Sequence, residues 1–226
     1  MNHLVVFARW PEPGRVKTRL SPALPPDLAC ALHEAMLRDV LEAGRGSSAE
    51  RRYLYWTDAP ADRAWSTAAR EAGFVESLQH GGDLGARLET AFDDLLSKPD
   101  QRAVIVGSDC PDLSSAAIDE AFRRLEGYDV VLGPTRDGGY YLVGLRRPAP
   151  DLFRDIPWGS QEVFAVTLGR ARHAEFAVTR LEPMDDIDTP EDLIRLVSRR
   201  LASETPTPRH TVAALERIGL LPAPRP

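Results

Sequence analysis

Short apolar runs rich in β-branched and aromatic residues recur along the chain at His3–Ala8, Arg52–Thr57, Ala103–Gly107, Asp129–Leu132, Tyr140–Gly144 and Phe176–Leu181. Between most of them, at about 27–43, 61–72, 85–97, 115–126, 161–172 and 190–202, apolar positions fall at three- and four-residue spacing, the period of one helix face. Strands that alternate with helices need crossover connections. The pattern therefore predicts one α/β domain, a three-layer α/β/α sandwich around a mostly parallel sheet, over residues 1–202. "RDGGYY", residues 136–141, is the exception, because an Asp-Gly pair between two strand-like runs favours a reversal and an antiparallel strand. Beyond residue 202, "SETPTPRH", residues 203–210, reads as a linker to a last amphipathic helix around Val212–Leu221, and "PAPRP" as a frayed tail.

Composition narrows the class. The chain has 226 residues, 43% apolar and 27% charged, which is ordinary for a soluble globular protein with a sizeable core. No stretch reaches the roughly 18 consecutive apolar residues of a membrane span, and the N-terminus enters a strand without a charged leader, so a cytoplasmic protein with no membrane partner is expected. Cys30 and Cys110 lack metal-ligand spacing and imply reduced thiols. A net charge of −6 argues against nucleic acid as a partner. Against that acidic background, Arg9, Arg15, Lys17 and Arg19 face only Glu12, a local +3 and a candidate anion site.

The loop "ARWPEPGRVKTRLSP" is long for a strand-to-helix connection, and it lies where α/β sheets bind ligands, beyond a strand's carboxyl end. "GRVKT" lacks the spacing of a Walker loop, and no G-x-G-x-x-G follows the first strand. No nucleophile elbow or Cys/His pairing stands out; the five histidines read as surface or packing residues. Arg15, Lys17 and Arg19 are the candidate phosphate contacts. "GSDCPDL", residues 107–113, repeats this placement at another strand end. Asp109 is positioned to hold a hard divalent ion, while Asp112 or Ser114 can cap the next helix. In "MDDIDTPEDL", residues 184–193, Thr189, Pro190 and Asp192 make a capping-box start, which leaves Asp185, Asp186 and Asp188 unexplained. A second strand-end carboxylate beside Asp109 would complete a metal site.

Three further segments are weaker signals. "GGDLGARL", residues 81–88, offers close backbone approach and a helix N-terminus, with Gly82, Asp83 and Arg87 as candidate substrate contacts. "GPTRDGGYYLVG", residues 133–144, brings Asp137, a candidate base, with Gly138, Gly139 and Tyr140. "PWGSQEVF", residues 157–164, presents Trp158 as the floor of an acceptor pocket.

In combination, "PGRVKTRL", "GDLGARL", "GSDCPDL", "VLGPTRDGGYYLVGL", "PWGSQEVF" and "DIDTPEDL" resemble, from about Leu4 to Leu196, the GT-A-type glycosyltransferase-like proteins of the nucleotide-diphospho-sugar transferase superfamily found near radical-SAM and arsenosugar genes. The resemblance implies a Rossmann-like sheet and nucleotide phosphates held by Arg15, Lys17 and Arg19. It implies that Asp109 stands in the place of the metal-binding aspartate of a D-x-D motif and Asp188 in that of the later metal carboxylate. This chain departs from D-x-D, since Pro111 occupies the second position after Asp109, and it has "WGSQ" where a Thr is frequent. The expected activity is a Mg²⁺- or Mn²⁺-dependent transfer from a nucleotide sugar to a small-molecule acceptor, with Asp109, Lys17 and Asp137 as catalytic residues. The first loop and "DIDTPEDL" also resemble guanylyl- and cytidylyltransferases, phospholactate guanylyltransferase among them. The alternative is thus a nucleotidyltransferase joining an NTP to a phosphorylated small acid or sugar phosphate and releasing pyrophosphate. A nucleotide-binding partner protein without turnover is the third reading.

Overall fold

The computed structural model describes residues 1–21, 23–59, 64–202 and 208–222. Among them are seven strands, β1 (Asn2–Ala8), β2 (Arg51–Trp56), β3 (Val75–Leu78), β4 (Arg102–Gly107), β5 (Val130–Pro134), β6 (Tyr140–Leu145) and β7 (Val178–Arg180). They form one sheet in the order β3-β2-β1-β4-β6-β5-β7. Six strands run the same way, and β6 runs antiparallel to both β4 and β5, as the Asp-Gly reversal predicts. The helices are α1 (Pro26–Gly46), α2 (Ala64–Glu71), α3 (Leu84–Leu95), α4 (Ser115–Arg124), α5 (Val163–His173), α6 (Pro190–Leu201) and α7 (Arg209–Arg217).

Side-chain alternation along the strands builds the layers. Leu4 and Val6 of β1 and Val104 and Val106 of β4 face α1, α2 and α4, whereas Val5, Phe7, Ala103 and Ile105 face α3 and α5. α1 is covered on both sides: Leu37, Val40 and Leu41 meet the sheet, while Ala29, Leu32 and Met36 meet Leu20, α6 and α7.

Two elements depart from the periodic reading. β3 is not foreseen, since "VESL" carries no apolar run; it is an edge strand that pairs with β2 alone and keeps Val75 and Leu78 exposed. The last helix begins three residues early because its start is set by a cap. The buried Asp39 carboxylate of α1 accepts hydrogen bonds from the His210 and Thr211 N–H groups at 2.8 and 2.7 Å and from Thr211 Oγ1 at 2.6 Å. Gly219, at φ 79°, ends it. Ala214 and Leu215 of α7 are buried. The expected linker lies mostly, at 203–207, outside the described residues, as do the tail from 223 and the first turn expected for α2.

Asp129, beside β5, braces the far end of the sheet. Burial alone would raise its pKa, but the Arg147 guanidinium, the Ala177 N–H and the Arg146 guanidinium outweigh it and hold the carboxyl at about 2. A carboxyl depressed by folding stabilises above its unfolded pKa and loses that contribution as pH falls through the folded one. Urea titrations between pH 5 and pH 2 should show the native protein losing up to about 2 kcal/mol that Asp129→Asn does not lose, screening by the half-exposed arginines setting the upper limit.

Candidate active site

The connection between β1 and α1 is long but pinned. Trp10 packs edge-on against Trp56 at 5.1 Å, and Val16, Leu20 and Leu24 are buried. Val16 and Leu20 flank Lys17, which adopts a left-handed φ of 50° ahead of a single 3₁₀ turn, Thr18–Leu20. A lysine there is held by its surroundings, because that backbone region costs an L side chain. Its side chain is only 3% exposed, and its Nζ lies 2.5 Å from Asp109 Oδ1 and 2.8 Å from Asp188 Oδ1. Burial by itself would lower the amine's pKa; Asp109 and then Asp188 outweigh it and raise it. Asp109 responds in mirror image: burial would raise its carboxyl, and Lys17 pulls it below the usual range. Both carboxylates remain reachable from solvent, with side chains 42% and 38% exposed.

Backbone bonds bring the carboxylates together. Ile187 N donates to Asp109 O at 3.0 Å, tying the loop after β4 to the loop before α6. Met184 N donates to Pro134 O at 3.0 Å and Arg136 N to Met184 O at 3.3 Å, so the loop before α6 also carries the turn after β5. Of the neighbouring acids, Asp112 pairs with Arg199 and Arg200, and Asp185 with Arg199 and with Arg136 at 3.2 Å. Ser114 caps α4, and Thr189 with Asp192 forms the capping box of α6. Asp112 thus braces the loop through arginines and leaves the cap to Ser114.

The remaining candidates divide. Arg19 Nη1 is 3.9 Å from Asp188 Oδ2, in the same group as Lys17. Arg15 turns outward to Glu12 at 3.1 Å and lines a cavity of about 270 Å³ with Arg9, Trp10, Thr57 and Asp58 at the ends of β1 and β2. Asp137 accepts from Thr135 Oγ1 at 2.5 Å and Gly139 N at 3.0 Å, holding its own turn. Gly138 has φ 94°, and a Cβ there would lie 2.1 Å from Gln161 O, so the turn seats against the loop before α5 only because the residue is glycine. That loop carries Trp158, half-buried rather than presented to solvent, edge-on to Tyr140 at 6.2 Å. Asp83 caps α3, Arg87 Nε donates to Gly81 O at 3.2 Å, and Gly82 is exposed beside them. A Cβ on Gly85 would come 3.0 Å from Trp158 Nε1, so this helix start adjoins the Trp158 loop. Among the described residues, no hydrogen bond or ion pair joins the Asp83–Trp158 group to Lys17.

Two residues emerge to which the sequence alone assigned no role of their own. His33 of α1 is buried, with Nε2 3.2 Å from Arg9 O and Nδ1 4.0 Å from Asp109 Oδ1. A carbonyl only accepts, so Nε2 carries the proton and Nδ1 turns a lone pair, otherwise unpartnered, toward the carboxylates. Burial lowers its pKa, against the pull of Asp109. Asp186 is pushed up to about 7, by burial first and then by Asp137 and Asp188. The only sequence cue to His33 is its place two turns into α1; Asp186 is hidden in an acidic run.

The Asp109 and Asp188 oxygens converge on one point now filled by an ammonium, with a buried nitrogen lone pair behind, and such a donor set suits a divalent ion. Another cluster, Asp39, Glu42 and His210, has metal-ligand spacing, but Asp39 is already committed to the start of α7.

The fold is shared with a crystal structure from Desulfovibrio desulfuricans G20 assigned to the nucleotide-diphospho-sugar transferases, 31% identical, with a TM-score of 0.87, covering 97% of this chain and 96% of that one. The fold is that of a transferase of that class. The chain belongs to the family described as uncharacterized proteins conserved in bacteria (DUF2064), whose profile matches residues 40–160. A relative from Phenylobacterium zucineum (strain HLK1), 3-phospho-D-glycerate guanylyltransferase, is 30% identical over 195 residues, 80% of this chain and 83% of its own. The fold alone is shared with glucosyl-3-phosphoglycerate synthase from Mycobacterium tuberculosis, solved with Mn²⁺ and UDP: 12% identity and a TM-score of 0.51 over 98% of this chain and 81% of that one.

Carboxyl NMR titration should find the Asp186 midpoint at about 7. In Asp137→Asn the midpoint should fall, since removing a like charge eases ionisation; an unchanged midpoint would show that Asp137 does not face it.

Proposed function

We propose that the protein is a divalent-metal-dependent guanylyltransferase that joins GTP to the phosphate of a small phosphorylated hydroxy acid, 3-phosphoglycerate being the first candidate, and releases pyrophosphate. The guanylyltransferase relative, aligned over 80% of the chain, carries the choice of nucleotidyl over glycosyl transfer. It reverses the order of the two readings that the motifs alone suggest.

In this reading an acceptor phosphate oxygen attacks the α-phosphorus of GTP, and the bond from that phosphorus to the bridging oxygen of the β-phosphate breaks. Asp109 and Asp188 would hold the Mg²⁺ or Mn²⁺, which would offset charge on the departing pyrophosphate. Lys17 and Arg19 bind the triphosphate oxygens, and Arg15 approaches from the cavity side. The acceptor lies toward Asp137–Tyr140 and Trp158, with Gly82, Asp83 and Arg87 at its outer edge. An acceptor phosphate is already ionised at neutral pH, so Asp137 need take no proton and serves by shaping its turn.

Glycosyl transfer from a nucleotide sugar remains the second reading, favoured by the Desulfovibrio structure. Pyrophosphate release from GTP, CTP, UTP and ATP with 3-phosphoglycerate, and nucleoside diphosphate release from the corresponding sugars, separates the two. The expected result is metal-dependent pyrophosphate release with GTP; nucleoside diphosphate release without pyrophosphate would replace it with the second reading. Asp109→Asn and Asp188→Asn should each lower kcat by about 100-fold or more while remaining folded by circular dichroism, the scale on which removal of a preorganised charge contact acts.

A further inference from the structure

We propose that Lys17 is the built-in counter-cation of the Asp109–Asp188 pair. It fills the divalent ion's place in the nucleotide-free protein and yields that place only when nucleotide phosphates draw its amine away. The inference rests on the reading of Asp109 and Asp188 as metal carboxylates. The Lys17 Nζ stands between them at 2.5 and 2.8 Å, close to the point both would offer a metal. A divalent ion binds oxygen at about 2.0–2.2 Å, so ion and ammonium cannot share that point, and placed side by side they repel.

The approach routes differ as well. Lys17 comes from the protein interior, on a backbone pinned by buried Val16 and Leu20, whereas the two carboxylates are open to solvent on their other side. A lysine suits such an exchange: its head is a compact charge on a four-carbon stem, and it can swing to a phosphate oxygen while its Cα stays fixed. The triphosphate then takes the ammonium, and the two carboxylates are left to the metal. Metal and nucleotide are consequently coupled, and each tightens the other by the same factor.

Free Mn²⁺, read from its electron paramagnetic resonance signal, tests this for the native protein, Lys17→Met and Asp109→Asn, with and without GTP, against protein-free Mn²⁺–GTP controls. Without nucleotide, the native protein should leave the signal intact at concentrations where Lys17→Met binds one ion. GTP should tighten Mn²⁺ binding to the native protein by roughly 5–150-fold, and Lys17→Met should lose most of that gain. Calorimetry of GTP binding to the native protein should return the same factor when Mn²⁺ is added, a measurement that does not depend on the variant's folding. Mn²⁺ binding to the native protein equally tight with and without GTP would overturn the exchange and leave the metal site standing. Loss of that binding in Asp109→Asn would confirm that site. Absence of Mn²⁺ binding even with GTP would overturn the metal reading itself.

Discussion

Two carboxylates brought to one point at the edge of a sheet repel unless a cation lies between them, and the ammonium of Lys17 is that cation. Much of the surrounding architecture follows from delivering it. The first loop must be long enough to cross from β1 to the end of β4, and it must be pegged by Trp10, Val16, Leu20 and Leu24 so that its length does not become mobility. The left-handed backbone at Lys17 turns its side chain inward instead of toward water. In return the pair of carboxylates holds a buried amine charged, which burial alone would oppose.

The acids of the two loops are sorted by partner. Asp112 and Asp185 are neutralised by arginines, Arg199 reaching both, so this one side chain of α6 braces the loop after β4 against the loop before its own helix. Asp192 is spent on the capping box, where the Thr189 hydroxyl and then the Thr189 and Asp188 N–H groups lower its pKa against burial. Asp109 and Asp188 share Lys17. Among the described residues Asp186 has no such cationic partner, and burial with Asp137 and Asp188 nearby lifts its pKa instead. An acidic run that reads as uniform along the chain thus becomes four distinct electrostatic roles.

The layers were legible from periodicity because each buried strand and each long helix repeats its pattern over several residues, and the antiparallel β6 was legible from one Asp-Gly pair. β3 was not, because an edge strand with exposed faces carries no apolar signature. The start of α7 was not, because it depends on Asp39, 171 residues away in sequence. The same distinction governs the site. Lys17, Asp109 and Asp188 stood out as strand-end chemistry in three separate segments, but their contact depends on tertiary pairing such as Ile187 to Asp109. His33 was hidden because a histidine on the buried face of a helix looks like packing until its neighbours are known.

The disposition of Asp137 bears on the chemistry. Its carboxylate is engaged by Thr135 Oγ1 and Gly139 N, and the glycine between is seated on Gln161 with no room for a Cβ. A group so tied is well suited to hold the turn and poorly suited to swing and collect a proton. A hydroxyl acceptor, as in sugar transfer, needs such a base in the transition state. An ionised phosphate acceptor needs none, and what it does need is relief of charge around the reacting phosphates, which Lys17, Arg19 and a metal on Asp109 and Asp188 would provide. With Asp137 tied into its turn, the charge compensation gathered around Lys17 and Arg19 is the feature that favours the phosphate reading proposed above.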